Sequence, residues 1–275
     1  MDQLMPPLQP SSPTRFFSRV GLCFSLLVVL STLFATLLAV LALFFPALAN
    51  SPFMLMFSSL APIHLMAMPL CRPVLKKAPR QKSEPRALGA YSGFILFLMA
   101  IGLMQVGALL GNTVGPAFDA LLGREAANPV VDMLSQSTPW VSLILISLLA
   151  PLAEELIFRK FLMDRLLPYG ERAAVLISGV TFGLFHGNFY QMFYATLLGL
   201  LLAFLYVKTG RMRYPVILHM AINFLGGVIA PLLLSLGDSG LVWSLIYSCV
   251  YFALGICGIV LLIAERKKFR LQPHP

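Results

Sequence analysis

The sequence contains little charge and few acidic residues. Only 11% of its 275 residues are charged, 59% are hydrophobic, and the mean hydropathy is +0.86. A soluble domain carries about 25% charged residues, so this chain has too few to cover a water-facing globule. The net charge of +9 could suggest a nucleic-acid partner, but so apolar a chain must first be placed in lipid. We therefore expect membrane lipid, and no nucleic acid, as its surroundings.

Cysteine is also scarce, and its copies are not spaced as pairs. No CxxC motif occurs among Cys23, Cys71, Cys249 and Cys257. This spacing argues against a disulfide framework and against a zinc site built from cysteine. We interpret the four thiols as packing residues, as is usual for free cysteine.

Long apolar runs are what the sequence has in abundance. A membrane-spanning helix needs about 20 apolar residues. The apolar runs cover residues 20–49, 53–70, 90–110, 140 onward, 173–185, 189–207, 215–236 and 241–264. The intervening segment 111–139, which contains Gly, Pro and acids, is predicted to be a loop. The expected fold class is therefore all-α, a polytopic transmembrane bundle of about eight helices.

The basic residues are distributed unevenly between the two sides of this predicted bundle. If the N-terminus lies inside, all 20 Lys and Arg except Arg124 fall in inside segments. Cytoplasmic loops carry such an excess, so both termini are predicted to be cytoplasmic. Residues 47–49 resemble a signal-cleavage site, but the preceding run is roughly twice the length of a signal peptide's apolar region. We expect it to be a retained membrane anchor.

These patterns divide the chain into four predicted segments. Residues 1–14 are rich in Pro and Ser and are expected to be a disordered tail. Residues 15–134 hold three transmembrane helices with a basic cytoplasmic loop at 71–89. Residues 135–264 form a helical core that carries the unusual polar residues, and residues 265–275 are a basic cytoplasmic tail.

The fourth apolar run contains charged residues partway along its length. Glu155 and Arg159 are one turn apart and can form an ion pair. Glu154 points about 100° away from Glu155 and has no local cation. A carboxylate in apolar surroundings can act as a general base or acid, and charges within spans usually have a function. The alternative is an amphipathic helix end at the membrane surface, where charged side chains reach water.

Two further runs contain polar side chains at helical spacing. His186 follows Phe182 by four residues, and His219 and Asn223 share a helix face because they are also four residues apart. Each feature alone could be a hydrogen bond between helices. His64 has no polar partner at helical spacing and is interpreted as structural.

Taken together, these polar residues supply a base, a second proton carrier and a pair of hydrogen-bond donors. Such groups can activate water and stabilise an oxyanion. Glu154, His186 and His219 are also ordinary zinc ligands, although no H-E-x-x-H motif is present. No cofactor is certain at this level, and zinc remains an open alternative.

The depths of the two histidines raise one geometric question. His186 lies about 22 Å along its helix from the basic end, whereas His219 lies only about 6 Å past Pro215. The two side chains can meet if the helix before His186 starts at the aqueous edge, or if the helix with His219 starts before Pro215. If they lie far apart, a shared catalytic role fails.

At these residues the chain resembles the CPBP family of intramembrane proteases, which comprises CAAX prenyl endoproteases and their bacterial Abi-type relatives. The family motifs are E-E-x-x-x-R, F-x-x-x-H and H-x-x-x-N. They are matched in the family order by Glu154, Glu155 and Arg159, by Phe182 and His186, and by His219 and Asn223. The resemblance covers roughly residues 135–230, and the first three predicted helices carry none of it.

The resemblance implies an intramembrane endopeptidase of glutamate-dependent or metalloprotease type. Its substrate would be a peptide or a membrane-anchored protein, lipidated or not, cut on the cytoplasmic side of the bacterial inner membrane. By family role, Glu154 activates water with help from His186, and Glu155 and Arg159 hold the surrounding charge network. The remaining pair, His219 and Asn223, binds the oxyanion. A metal, if present, would be held by Glu154, His186 and His219.

Two other functions stay open at the level of sequence. The first is a catalytically silent scaffold or immunity-type protein, but a scaffold gains nothing from carboxylates within a membrane. The second is a proton or ion transporter in which Glu154, His186 and His219 form a relay. The chain lacks the repeated halves and paired broken helices that many transporters show.

Overall fold

The computed structural model describes residues 13–49, 51, 54, 68–76 and 78–272, which fold into helices without a β-strand. Six helices are long and apolar enough to cross a membrane: α1 (Pro13–Phe44), α4 (Ala90–Leu121), α6 (Pro139–Tyr169), α8 (Phe189–Thr209), α9 (Arg213–Leu234) and α10 (Gly237–Ala264). Four are shorter: α2 (Pro46–Ala49), α3 (Met68–Leu75), α5 (Pro129–Ser135) and α7 (Glu171–Phe185). The polytopic all-α class is confirmed, and the chain is an integral membrane protein.

The predicted number of eight spans is only approximate. The run at residues 53–70, including His64, lies largely outside the described residues. The run at 173–185 forms α7, a helix of 15 residues. A helix of that length extends about 22 Å, which is less than the roughly 30 Å of hydrocarbon in a bilayer. Within the described part of the chain, six helices therefore meet the length of a span.

The chain divides into two compact units. One consists of residues 1–81 with 164–168, and the other of residues 82–163 with 169–275. In the first unit, the thiols of Cys23 on α1 and Cys71 on α3 are buried together. The Cys71 Sγ lies 3.7 Å from the carbonyl oxygen of Cys23. This pair packs as expected for free cysteines, whereas Cys249 and Cys257 on α10 are exposed.

The second unit has an apolar core where α4, α8 and α9 meet. Its buried residues come from all three helices: Met99, Ala100, Ile101, Leu198, Leu201, Leu202, Leu205, Leu218 and Ile222. Glycines let α4 and α8 approach closely, because a side-chain carbon at Gly107 would lie 2.3 Å from the Tyr194 backbone. Small residues at helix interfaces are typical of membrane bundles, where close packing replaces the hydrophobic effect.

The segment predicted as a loop at 111–139 is partly helical. Helix α4 continues through Gly111, Gly115 and Pro116 to Leu121. The prediction was wrong here because Gly111 and Gly115 pack against Tyr190 of α8, and that contact stabilises a helix that their low intrinsic propensity disfavours. The rest of the segment is a connection that contains α5.

Helices α7 and α8 form an antiparallel hairpin that begins and ends with defined contacts. At its open end, Lys208 Nζ donates to Glu171 Oε2 at 3.0 Å. At its tip, Gly187 turns the chain with φ +67°, a conformation that favours glycine. Asn188 then caps α8 by accepting a hydrogen bond from the backbone N–H of Gln191. His186 is thereby placed at the tip of the hairpin.

Helix α6 is interrupted by two π-helical segments, at Ser142–Leu149 and Leu156–Met163, on either side of Ala150–Glu155. Such π-bulges occur frequently at functional sites. Pro151 has no N–H and cannot donate to the carbonyl five residues earlier, that of Ile146. The two acidic residues of the fourth apolar run therefore lie between two irregular segments of the helix.

Candidate active site

A buried ion pair on α6 forms the base of the candidate site. The Nε of Arg159 donates to Glu155 Oε2 at 2.9 Å, and both side chains are 0% exposed. The spacing of four residues allowed this pair to be predicted from the sequence. Both charges are removed from water. Each therefore needs its oppositely charged partner to offset the free-energy cost of burying it.

Helix α7 contributes a residue to this pair that no sequence pattern indicated. The Nη1 of Arg159 donates to the Oγ of Ser178 at 2.5 Å, and the same hydroxyl donates to the backbone oxygen of Phe158 at 3.2 Å. Ser178 is fully buried. The guanidinium carbon of Arg159 also lies 5.2 Å from the centre of the Phe182 ring. The arginine is therefore fixed by α7 as well as by its own helix.

His219 on α9 lies between the two adjacent carboxylates of α6. Its Nδ1 is 3.1 Å from Glu155 Oε1, a hydrogen bond, and its Nε2 is 3.8 Å from Glu154 Oε2. Since an ionised carboxylate only accepts hydrogen bonds, the contact with Glu155 places a proton on Nδ1. The second nitrogen is then directed toward Glu154.

The two glutamates differ in access to the surroundings. Glu155 is 0% exposed, and both of its carboxylate oxygens are engaged, by Arg159 and His219. Glu154 is 8% exposed, and within the described part of the chain its carboxylate forms no hydrogen bond as short as these. Glu154 is therefore the more accessible carboxylate of the pair.

Phe182 brings the two histidines together. The His186 and His219 rings both meet the Phe182 ring edge to face, with centroids at 5.2 and 5.5 Å. Their contact with the same ring answers the question of depth. Helix α9 begins at Arg213, before Pro215, and α7 begins at Glu171, whose ion pair with Lys208 is partly exposed.

The hydrogen bond of His186 defines which of its nitrogens can take part in chemistry. Its Nδ1 lies 2.8 Å from the backbone oxygen of Phe182, which can only accept, so this nitrogen carries a proton. In the neutral ring the Nε2 is then an acceptor. His186 can thus receive a proton at a stated atom, as a second proton carrier requires.

Asn223 supports the backbone of α6. Its Nδ2 donates to the carbonyl oxygen of Ile146 at 3.0 Å. Pro151, which has no N–H, cannot donate a hydrogen bond to this carbonyl. An asparagine amide has two N–H groups, and the contact with Ile146 accounts for one of them. The sequence predicted that Asn223 shares a face with His219, but not that it binds the backbone of a neighbouring helix.

The side chains considered as zinc ligands do not form a ready-made metal site. Among the described residues, no group of three or more His, Cys, Asp and Glu side chains is placed to hold a metal ion. The Nδ1 of His219 is bonded to Glu155, and the Nδ1 of His186 is bonded to a backbone oxygen. These bonds leave both Nε2 atoms unengaged, as in a histidine that binds a metal. It is the spacing of Glu154, His186 and His219, and not their hydrogen bonds, that falls short of a preformed zinc set among the described residues.

The part of the chain that holds this site is similar to a known protein family. A family model described as Type II CAAX prenyl endopeptidase Rce1-like matches residues 136–225. This range includes the two glutamates and Arg159 on α6, His186 at the hairpin tip, and His219 and Asn223 on α9. The match thus covers the whole candidate site and not the N-terminal part of the chain.

Two bacterial proteins are similar over part of their length. "Putative membrane peptidase YdiL" of Bacillus subtilis (strain 168) is 32% identical over 139 residues, which is 50% of this chain and 53% of YdiL. "Membrane-embedded CAAX protease MroQ" of Staphylococcus aureus (strain USA300) is 25% identical over 154 residues, 54% of this chain and 58% of MroQ. The chain spans about half the length of these curated relatives. No solved structure matches it.

Proposed function

We propose that this chain, whose residues 136–225 match the model of the Rce1-like Type II CAAX prenyl endopeptidases, is an intramembrane endopeptidase. One observation carries the proposal. Glu154 lies in an apolar helix, keeps some exposure, and faces His219. The neighbouring Glu155 is bonded through its two oxygens to Arg159 and His219. A reactive carboxylate is thereby supported by a buried network that holds it in place.

Glu154 acts as the general base in this proposal. It takes a proton from a water molecule, whose oxygen forms a bond to the carbonyl carbon of the scissile peptide. The Nε2 of His186 assists by accepting a hydrogen bond from the same water. When the intermediate collapses, the carbonyl bond re-forms and the C–N bond breaks. Glu154 then returns its proton to the leaving nitrogen.

The oxyanion is stabilised from α9 in this proposal. The Nε2 of His219 and the second N–H of Asn223 donate to the oxygen that becomes negative, and such donors are worth most in a water-poor site. His219 can donate from Nε2 only when both of its nitrogens carry protons. His219 is therefore the imidazolium in this proposal, and its charge together with that of Arg159 offsets the charges of Glu154 and Glu155.

The mechanism is derived without a metal, because the imidazoles and carboxylates do not form a three-ligand set among the described residues. The substrate class is a membrane-associated or lipidated peptide, since the site lies within membrane helices. The distribution of Lys and Arg supports a site that faces the cytoplasm of a bacterial inner membrane, with both termini on that side. A silent scaffold remains the alternative, and it predicts no dependence on Glu154.

Replacement of Glu154 by glutamine tests the activity. Glutamine keeps the shape but cannot accept the proton from water, so cleavage should fall by about 10²- to 10⁴-fold. Membrane proteomes of cells that express the wild type and Glu154→Gln would be compared for new peptide ends. Glu125→Gln, in the exposed connection after α4, is the matched control. The proposal would be refuted if the same new peptide ends appear in cells with wild type and with Glu154→Gln, when both proteins are present in the membrane at equal levels.

A further inference from the structure

An apolar groove lies at one edge of the second unit, between the first turns of α4 and the first turns of α9. Its cavity volume is about 320 Å³. The wall is formed by residues from both helices and from the end of α8: Leu88, Gly89, Ala90, Gly93, Leu96, Phe97, Leu205, Tyr214, Ile217, Leu218 and Ala221. Apart from the Tyr214 hydroxyl, these side chains are hydrocarbon. The volume is at the lower end of the range for small-molecule sites.

Gly89 and Gly93 leave open space in the wall at the start of α4. A side-chain carbon at Gly89 would meet no atom within 4 Å, and one at Gly93 would meet only Leu88 at 3.7 Å. Glycines that pack against another helix, such as Gly107, have no such room. Gly93 therefore leaves open space in an apolar wall, and in a membrane protein such space is filled by hydrocarbon.

The mouth of the groove is polar and basic. The segment 82–89 is fixed against the turn between α8 and α9, because the backbone N–H of Arg86 donates to Thr209 at 2.8 Å. Tyr214 closes the mouth. Its hydroxyl accepts hydrogen bonds from the backbone N–H of Leu88 at 3.0 Å and from Arg213 Nη2 at 2.8 Å.

These two accepted bonds leave the hydroxyl proton of Tyr214 available as a donor. Arg213 lies over the Tyr214 ring at 4.7 Å, and Arg211 interacts electrostatically with the same hydroxyl. Glu84, an acidic residue of the segment before α4, pairs with Arg86 at 3.4 Å at an exposed position. Two arginines and one phenol donor thus remain for an anion at the mouth.

We propose that this groove binds one anionic phospholipid, with a hydrocarbon chain between α4 and α9 and the phosphate at Arg211, Arg213 and Tyr214. A free phosphate would bind at the mouth but leave the apolar groove empty. A phospholipid would bind at the mouth through its phosphate and fill the groove with a hydrocarbon chain. The basic residues at the mouth favour an anionic headgroup over a zwitterionic one. This site requires only that the helices lie in a membrane, and it is independent of the proposed peptidase activity.

Native mass spectrometry of the full chain in detergent tests the proposal. The probes are phosphatidylglycerol, phosphatidylcholine with the same acyl chains, and inorganic phosphate. We expect more bound phosphatidylglycerol than phosphatidylcholine and no retained inorganic phosphate. Arg213→Gln should lower phosphatidylglycerol binding about fivefold, as the loss of one cation near a lipid surface predicts. Gly93→Leu should displace both lipids because it fills the groove.

Two matched variants control for general effects. Arg124→Gln removes one cation from the connection after α4, and Gly21→Leu adds the same side chain at an open position of α1; neither residue lines the groove. Both should bind phosphatidylglycerol as the wild type does. Equal binding of the two lipids to the wild type, or full lipid binding by Gly93→Leu, would overturn the proposal. So would retention of inorganic phosphate in place of lipid.

Discussion

Glu154 and Glu155 are neighbours in the chain but lie in different environments. Glu155 is bonded to Arg159 at 2.9 Å and to His219 at 3.1 Å, and it is closed off from the surroundings. Glu154 lies on the other side of His219, 3.8 Å from its Nε2, and keeps some exposure. Since consecutive helical residues point about 100° apart, this adjacency lets one carboxylate anchor the site while the other is left for proton transfer.

Ser178 should prove to be a structural support of this network. In Ser178→Ala the Nη1 of Arg159 loses its acceptor, although the guanidinium and its charge remain buried. A hydrogen bond to a charged group contributes about 1.5–3 kcal/mol. We therefore expect a loss of stability of that size, measured by thermal unfolding in detergent, together with slower cleavage of any substrate identified with the Glu154→Gln comparison.

Thr181 on the same helix provides the matched control. Its hydroxyl donates within α7, to the backbone oxygen of Ile177, and does not contact the ion pair. Thr181→Ala removes a similar hydroxyl and should cost less stability than Ser178→Ala. If the two variants unfold at the same temperature, the bond from Arg159 to Ser178 contributes nothing to the fold.

The sequence was sufficient to find the charged residues of the site, but not their supports. Glu154, Arg159 and the histidines stand out because polar side chains are rare in apolar runs. Ser178 gives no such signal, because serine is common in membrane helices and its role depends on which helix packs beside it. The bond from Asn223 to Ile146 is equally invisible, since it depends on an interrupted helix elsewhere in the chain.

At the scale of helices, α6 and α9 are joined through a defect in α6. Pro151 lacks the N–H that the carbonyl of Ile146 would use within the π-helical segment. Asn223 supplies the missing donor from α9. The helix that carries Glu154 is thereby connected to the helix that carries His219, one turn before Asn223.

This connection predicts a specific coupling between two variants. Asn223→Ala should destabilise the protein by about 1–3 kcal/mol, because the Ile146 carbonyl loses its donor. In a Pro151→Ala background the backbone N–H of residue 151 can serve that carbonyl, and the cost of Asn223→Ala should shrink. A double-mutant cycle of unfolding free energies measures the difference.

A second readout separates the support role of Asn223 from its proposed role in catalysis. If Asn223 also binds the oxyanion, the double variant Pro151→Ala and Asn223→Ala should regain stability but remain deficient in cleavage. An equal cost of Asn223→Ala in both backgrounds would show that Pro151 does not create the need for Asn223.

The ends of the helices were harder to predict from the sequence than the helices themselves. The sequence placed the end of the third apolar run at residue 110, whereas α4 extends to Leu121. Local composition argues for a loop there, because glycine and proline disfavour helix interiors. The contact of Gly111 with the backbone of Tyr190 on α8 reverses that preference, and local composition does not reveal a contact between residues so far apart in the chain.

For the whole molecule, the scarcity of charge makes the position of each charge informative. Basic residues mark the predicted cytoplasmic segments, and Arg124 is the exception in the connection after α4. Glu154, Glu155 and Arg159 of α6 are charges that an apolar run encloses. The charge pattern therefore predicts two separate properties, the orientation of the helices and the location of the site.

The predicted orientation can be measured with single cysteines at neutral, exposed positions, so that the charge pattern stays unchanged. In a background that lacks the four native thiols, the probes are Ala87→Cys, Ala126→Cys and Gln272→Cys. Because Lys and Arg are retained on the cytoplasmic side, a membrane-impermeant maleimide should label position 126 in intact cells. Positions 87 and 272 should react only after the cells are permeabilised. Labelling of position 272 in intact cells would place the C-terminus outside and leave the basic tail on the wrong side of the membrane.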